Sequence, residues 1–516
     1  MTRAAFLAVV VLSCAACPGG GGAPGPGSRP GGDAGSGSGG GGAIGGAGDG
    51  GPVDGGSTDG GSADGGQVDG GVAETRPNGG GDWPQFRDVE TGTSRNPGVW
   101  TVAETANLTP LWTLELGQYV YSQPMIAGDA VYFTTAITGR VVAVDAATGA
   151  VRWTRELNAP IATTCGGSHS PGFWGAVSVV GDVVYAPSPD GQVYALRKSD
   201  GSTIWSSRIA DPTAAGHGAQ LVASPVVSPA LGRLYLGVAS SSDCDLIAGY
   251  VAMLDLATGA PTVTQLLAPG QKGAGVWTSF SVDEAAGRVY VTTGDAVGAP
   301  ASEPLSNAIV AFDARTLAVV DHWQDPTTLD DADLGSSPTL FEAGGRRLVA
   351  AASKDGFLYT LDRGALSAGP LWKLQLAIND PARPNEAGDP VLGWGSIVSP
   401  TFAEGVLYAA GGRTPLGEPG SVVALDPATG ALKWKHATPG YVIAPMPAVG
   451  DVLFVESTRA DFTASTLEVL DAATGAVVRS FPGATASFAA PSVGRGLLIW
   501  ADANGHATAF AVPHYR

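Results

Sequence analysis

In the stretch Ser421-Val-Val-Ala-Leu-Asp-Pro-Ala-Thr-Gly-Ala-Leu-Lys-Trp434, Val422, Ala424 and their β-branched neighbours alternate as one buried face of a strand does. Asp426-Pro-Ala-Thr-Gly430 then reads as a tight turn. Asp bonds its own backbone two residues on, and Gly supplies a positive φ without a steric penalty. A second strand follows, and Trp434 stands where a flat ring can wedge against the next sheet. Arg140-Val-Val-Ala-Val-Asp-Ala-Ala-Thr-Gly-Ala-Val-Arg-Trp153 is nearly a copy. Weaker copies end at Trp205, Trp323 and Trp372, while Asp255 to Gly259 and Asp471 to Gly475 keep the turn without the Trp.

A strand–turn–strand unit recurring every roughly 40–65 residues predicts an all-β repeat fold, and units of this size predict propeller blades. Ala-x-Asp-x-x-Thr-Gly-x-x-x-Trp resembles the repeat of the quinoprotein-type (pyrroloquinoline quinone, PQQ) β-propellers. Innermost strands are expected at Ser122-Gln-Pro-Met, Ala176-Val-Ser-Val, Ser224-Pro-Val-Val, Thr278-Ser-Phe-Ser, Ser337-Pro-Thr-Leu, Ser399-Pro-Thr-Phe, Ala444-Pro-Met-Pro and Ala490-Pro-Ser-Val. The expectation is an all-β, eight-bladed β-propeller of four-stranded blades, or seven blades if one weak repeat is a loop. Leu111-Trp-Thr-Leu-Glu-Leu116 has no partner strand before it, and the last repeat, Leu497 to Val512, lacks a final strand. Closure of the ring by this N-terminal strand leaves no open seam. Asp82-Trp-Pro-Gln-Phe-Arg87 resembles the opening segment of many PQQ-like propellers, so the propeller is expected over 82–516.

Residues 1–17 carry Arg3, a short apolar run and then small residues, the pattern of a secretory signal. The run is too short to span a membrane. Val11-Leu-Ser-Cys14 resembles a bacterial lipobox, and Cys17 is the alternative lipidated thiol. An exported protein follows, held at the outer membrane, periplasm or cell surface through a lipid anchor only. Residues 18–81 are Gly, Ser, Asp and Ala with hardly a large apolar side chain, too little apolar surface to offset chain entropy. A disordered tether is expected there, and limited proteolysis should trim the chain to a core starting near residue 80. Stable fragments cut inside 120–510 with the tether intact would contradict this.

The net charge of -19 and the lack of a basic cluster exclude nucleic acid as a partner of the folded body. Cys165 and Cys244 lie in consecutive repeats at comparable loop positions and, in an exported protein, are a candidate disulfide. No Cys-x-x-Cys-His is present, so the chain carries no covalent haem c.

Several segments resemble quinoprotein dehydrogenases, nearest the polyvinyl-alcohol dehydrogenase branch. Asp331-Ala-Asp333-Leu-Gly-Ser-Ser-Pro338 resembles the segment of that family's catalytic Asp, which implies Asp333 as base, or Asp331 if the alignment shifts by two. Ser353-Lys354-Asp-Gly-Phe-Leu-Tyr-Thr-Leu-Asp-Arg363 resembles the next repeat, where a Lys or Arg at the position of Lys354 contacts the quinone oxygens. Trp277 and Trp394 are the aromatic candidates beside the cofactor, with Ser279 at the position where many members hold a Trp. Asp295 stands where the family has a metal-binding Asn, and Asp243 and Asp245 where it has a Glu. Carboxylates suit Ca2+, a hard cation that wants oxygen. The resemblance thus implies PQQ and Ca2+, a small alcohol substrate and a separate electron acceptor. The other reading is a non-catalytic propeller lipoprotein with envelope protein partners, similar to the outer-membrane assembly lipoprotein. Read without the resemblance, Asp331 and Asp333 cap a loop, and Lys354-Asp-Gly is a hairpin turn with a solvated lysine.

Overall fold

The structure, a computed structural model, describes residues 81–157, 172–212, 218–240, 246–294, 298, 300–327, 332–379 and 395–513. Eight sheets built on four antiparallel strands succeed one another along these residues. The first blade comprises Met125–Ala127, Ala130–Thr134, Arg140–Asp145 and Val151–Glu156. The fourth comprises Ser281–Asp283, Arg288–Thr292, Ala308–Asp313 and Val319–Gln324. The fifth comprises Thr339–Ala343, Arg346–Ala352, Phe357–Asp362 and Trp372–Gln375. In the eighth, Ser492–Gly494, Leu497–Ala501 and His506–Ala511 receive Thr109–Glu115 as their outer strand, so the two ends of the propeller close the ring together as expected. The core lies between blades. Leu348, Ala350 and Leu358 of the fifth, for example, pack on Leu407, Ala409 and Val423 of the sixth.

The innermost strands begin later than the sequence suggests. Ser337-Pro-Thr-Leu, for instance, enters the ladder only at Thr339, and Ala444-Pro-Met-Pro is followed by a strand at Ala448–Val449. Proline has no N–H to give to a ladder. The residues that lead into these strands bond sideways instead. The amides of Ala176, Ser224, Ser279 and Ser337 donate in turn to the hydroxyls of Ser224, Ser279, Ser337 and Ser399, at 2.9, 3.0, 2.9 and 3.0 Å. Ser279 is therefore a link in a run of such bonds that joins the second to the sixth blade.

The repeated Trp reaches the Asp-x-x-Thr-Gly turn of the next blade. Trp434 Nε1–H donates to the Ala472 carbonyl at 3.0 Å, and its ring lies flat on Gly475. Gly475 has φ +73°, and a Cβ there would sit 2.6 Å from Trp434 Cε3. Trp112, Trp153 and Trp205 bond the carbonyls of Ala146, Lys198 and Leu256 in the same way. The interface between the third and fourth blades breaks the pattern on both sides at once. The outer strand Pro261–Gln265 carries no Trp, and the facing turn has Leu317 in place of Gly, at φ +56° and fully buried. The Leu side chain fills space that the ring would need, and Thr264 Oγ1 donates to its carbonyl at 3.0 Å. Gly475→Ala is expected to cost about 1–3 kcal/mol from left-handed backbone strain and overpacking. In thermal melts the double change with Trp434→Ala should fall short of the sum of the single changes, because the two share one contact.

The N-terminal segment takes a course that the repeat does not announce. Amides of Ile126, Val179, Val282, Leu340, Phe402 and Ala448, from the inner strands of six blades, donate to the carbonyls of Trp83, Pro84, Glu90, Thr91, Thr93 and Ser94. Val227 of the third blade donates to Gln85 Oε1, and Arg495 of the eighth to the Gly81 carbonyl. Residues 81–96 thus travel round the inside of the ring and satisfy donors that an inner strand edge would otherwise leave unpaired. Arg87, 1% exposed, crosses to the fourth and fifth blades. Its guanidinium donates to the carbonyls of Gly92 and Pro338 at 3.0 and 2.9 Å and to Ser281 Oγ at 2.9 Å.

Candidate functional site

Asp333 precedes the first strand of the fifth blade, and Lys354 occupies the turn between its second and third strands. Antiparallel strands return to the end they started from, so both residues lie at one end of the blade. Arg87 is bonded to the Pro338 carbonyl, just inward of them. Lys354 Nζ donates to Asp333 Oδ2 at 2.8 Å, and the Lys354 amide donates to the Asp333 carbonyl at 2.9 Å. The side chains are only 12% and 11% exposed, so the pair is screened little by solvent. Lys354 is therefore not the solvated turn lysine of the plain hairpin reading. Its ammonium also lies 5.5 Å from the Trp277 ring centre, within cation–π range.

Small residues let these groups converge. A Cβ on Gly294 would stand 2.6 Å from Asp333 Oδ1, and one on Gly335 would stand 2.7 Å from Trp277 Cη2. Asn307 ties the backbone together: its amide donates to the Gly294 carbonyl at 2.7 Å, and its Oδ1 accepts from the Leu334 amide at 3.0 Å. The arrangement offers a carboxylate to take a proton, an ammonium to polarise an oxygen and an indole to lie against a flat ring. Of the residues singled out from the sequence, the structure brings together Asp333, Lys354 and Trp277. Asp331, Trp394, Asp295, Asp243, Asp245, Cys165, Cys244, Cys14 and Cys17 lie outside the described residues. Among the described residues no group of three or more His, Cys, Asp or Glu side chains is placed to hold a metal ion. No described helix is long and apolar enough to cross a membrane.

Behind Lys354 lies a second acidic group, centred on a residue that sequence reasoning passed over. Asp325, 2% exposed, follows the outer strand of the fourth blade. Its Oδ1 accepts from the Thr327 amide at 3.1 Å. The carboxyl of Asp355 and the hydroxyl of Tyr359 are its neighbours. Tyr359 donates to Asp355 Oδ2, and Asp355 Oδ1 accepts from the Phe357 amide at 2.8 Å. Burial first, and the charge of Asp355 second, push Asp325 up to about 7. Burial and the two carboxyls likewise push the Tyr359 phenol up. The Asp355–Tyr359 half was legible as a pattern, because Asp190-Gly-Gln-Val-Tyr194 repeats it in the second blade with Tyr194 donating to Asp190 at 2.8 Å.

Residues 93–278 and 354–512 match the family model described as outer membrane protein assembly factor BamB, a PQQ-type repeat. Residues 258–376 match the glucose/ethanol/alcohol dehydrogenase β-propeller domain. A polyvinylalcohol dehydrogenase of Pseudomonas sp is 24% identical over 312 residues, covering 52% of this chain and 46% of its own length. The chain thus spans about half of that relative. The quinohemoprotein alcohol dehydrogenase of Comamonas testosteroni superposes with a TM-score of 0.64 at 20% identity, covering 84% of this chain and 80% of that one. BamB from Moraxella catarrhalis superposes with a TM-score of 0.51 at 18% identity, covering 79% and 99%.

Proposed function

Because the chain belongs to the PQQ-type β-propeller family, we propose that it is a quinoprotein dehydrogenase that oxidises an alcohol, exported and lipid-anchored through Cys14 or Cys17. The observation that carries this reading is the sequestered Asp333–Lys354 pair beside Trp277. The residues fit the quinone in kind: an ammonium, a carboxylate and an indole converge where Gly294 and Gly335, lacking a Cβ, let them approach. PQQ, when bound, supplies a two-electron acceptor for the alcohol's hydride. Lys354 and Trp277, with Trp394, would hold it. Asp333 would take the hydroxyl proton, and the hydrogen bond from Lys354 keeps that carboxylate aimed. Asp295, Asp243 and Asp245 are the oxygen donors proposed for Ca2+. A separate electron acceptor would be required to complete turnover. Native mass spectrometry with metal analysis tests the reading. A stoichiometric PQQ adduct with calcium is expected, and a protein that takes up no PQQ even when supplied with it sinks the proposal.

The second reading, a binding platform in the cell envelope, draws on the longer of the two family matches and on exposed aliphatic side chains. Val263, Val319 and Val320 are exposed on outer strands, and Leu416, 84% exposed, stands on the loop of the sixth blade. Absence of PQQ together with retention of an envelope protein on this chain would favour it.

A further inference from the structure

We propose that Asn307 is the positioning residue of this site: its side chain clamps the segment that carries Asp333 and so holds the carboxylate between Gly294 and Lys354. Its effect on turnover rests on the dehydrogenase reading, whereas the clamp itself does not.

The propeller supplies its own comparison. In six blades the residue just before the third strand accepts, through its carbonyl, the amide of the residue that follows the outer strand. Gly505, Gly139, Gly191, Gly249 and Gly356 accept in this way from Leu116, Leu157, Ile209, Leu266 and Leu376, and Asn307 accepts from Asp325 at 2.9 Å. Five of the six are glycines because the connection to the next blade passes close over them. A Cβ on any of the five would stand 1.9–2.8 Å from a carbonyl oxygen of that connection. The fourth blade alone of these six carries a side chain at this place. Asn307 has φ +47°, a left-handed conformation that asparagine adopts more readily than most residues with a Cβ. It is 6% exposed, and its side chain makes a bond that no glycine can: Oδ1 accepts from the Leu334 amide at 3.0 Å.

Asn307 thereby stands at a corner between two supports of the Asp333 carboxylate. Its amide donates to the Gly294 carbonyl at 2.7 Å, and Gly294 is the residue against which Asp333 Oδ1 rests. The Gly294 amide donates in turn to the Gly275 carbonyl at 2.9 Å, two residues before Trp277. The Asn307 side chain fixes the peptide that follows Asp333. From the other side, the Lys354 amide holds the Asp333 carbonyl at 2.9 Å and Lys354 Nζ holds Oδ2 at 2.8 Å. Asp333 is thus held by a turn of its own blade and by Asn307 of the blade before. Remove the side chain, and the amide of fully buried Leu334 loses this acceptor. A buried N–H without a partner is costly, so the segment shifts until the amide is satisfied, and Asp333 moves with it.

The test uses the full chain with two substitutions. Asn307→Gly restores the residue of the other five blades and keeps the left-handed backbone free of strain. Asn307→Asp keeps an oxygen that accepts from the Leu334 amide and tolerates the same backbone. Without cofactor or substrate, hydrogen exchange resolved to single amides should be about tenfold faster at Leu334 in Asn307→Gly, the equivalent of one neutral hydrogen bond. Acetylation of Lys354, read by peptide mass spectrometry against exposed Lys433, should rise severalfold in the same variant. Asn307→Asp should return both readouts towards the parent. With PQQ supplied, kcat for dye reduction should fall about 10²-fold in Asn307→Gly while KM for the alcohol stays within about twofold, the mark of a misplaced catalytic group, and Asn307→Asp should recover most of the loss. Leu334 exchange and Lys354 acetylation that match the parent in Asn307→Gly overturn the proposal, as does a loss that Asn307→Asp shares in full. Changed exchange and acetylation in a protein that takes up no PQQ overturn the dehydrogenase reading and leave the clamp standing.

Discussion

Asp333→Asn should reduce PQQ-dependent dye reduction by about 10²–10⁴-fold, the range for loss of a positioned general base. The replacement amide is a poor base but keeps the shape of the carboxylate, and its oxygen still accepts from Lys354 Nζ, which stands 2.8 Å from Asp333. The tight fit under Gly294 argues for Asn rather than a larger probe, since Asp333 Oδ1 already lies where a Cβ would clash. The melting temperature is therefore expected to change little, and PQQ binding, read by native mass spectrometry, should survive. The same loss of activity accompanied by unfolding, or full activity in the variant, would remove Asp333 from the base role.

Arg87→Ala is the change expected to cost the fold most. The guanidinium serves Gly92, Pro338 and Ser281 from a fully buried position, and no water can reach the acceptors it would abandon. Each buried group left without a partner costs about 1–3 kcal/mol, so a total of about 3 kcal/mol or more is expected, with further loss from the cavity. The segment 81–96 is bonded to all eight blades, so its release should show as new protease cleavage within it before global unfolding. An unchanged melting temperature and an uncut segment would mean that the backbone bonds alone retain it. Arg87→Lys should recover only part of the loss, because an ammonium cannot reproduce the planar fork.

Within the site, local resemblance identified Asp333, Lys354 and Trp277, and the structure set them against one another across the boundary between the fourth and fifth blades. It did not identify Asp325, because a lone Asp after a strand looks like a solvated loop residue. Only the superposition of repeats reveals that its position belongs to Leu157, Ile209, Leu266 and Leu376. The innermost strands were placed in the right repeats but two to four residues early, because in most repeats the entry reads as strand in composition while its proline cannot join the ladder.

What the sequence by itself determined is the periodic part of the protein. The blade count, the strand–turn–strand unit and the closing strand all follow from local alternation, from Asp-x-x-Thr-Gly turn chemistry and from a first strand and a last repeat that each lack a partner. These signals repeat and are carried by neighbours in the chain. What only the tertiary structure decided is the non-periodic part: the circuit of residues 81–96, the reach of Arg87 over about 250 positions to Pro338, the burial of Asp325 and the contact of Lys354 with Asp333. Those contacts join segments far apart in sequence, at an axis where eight blades meet. No local pattern encodes which side chains face each other there, because that depends on how the ring closes.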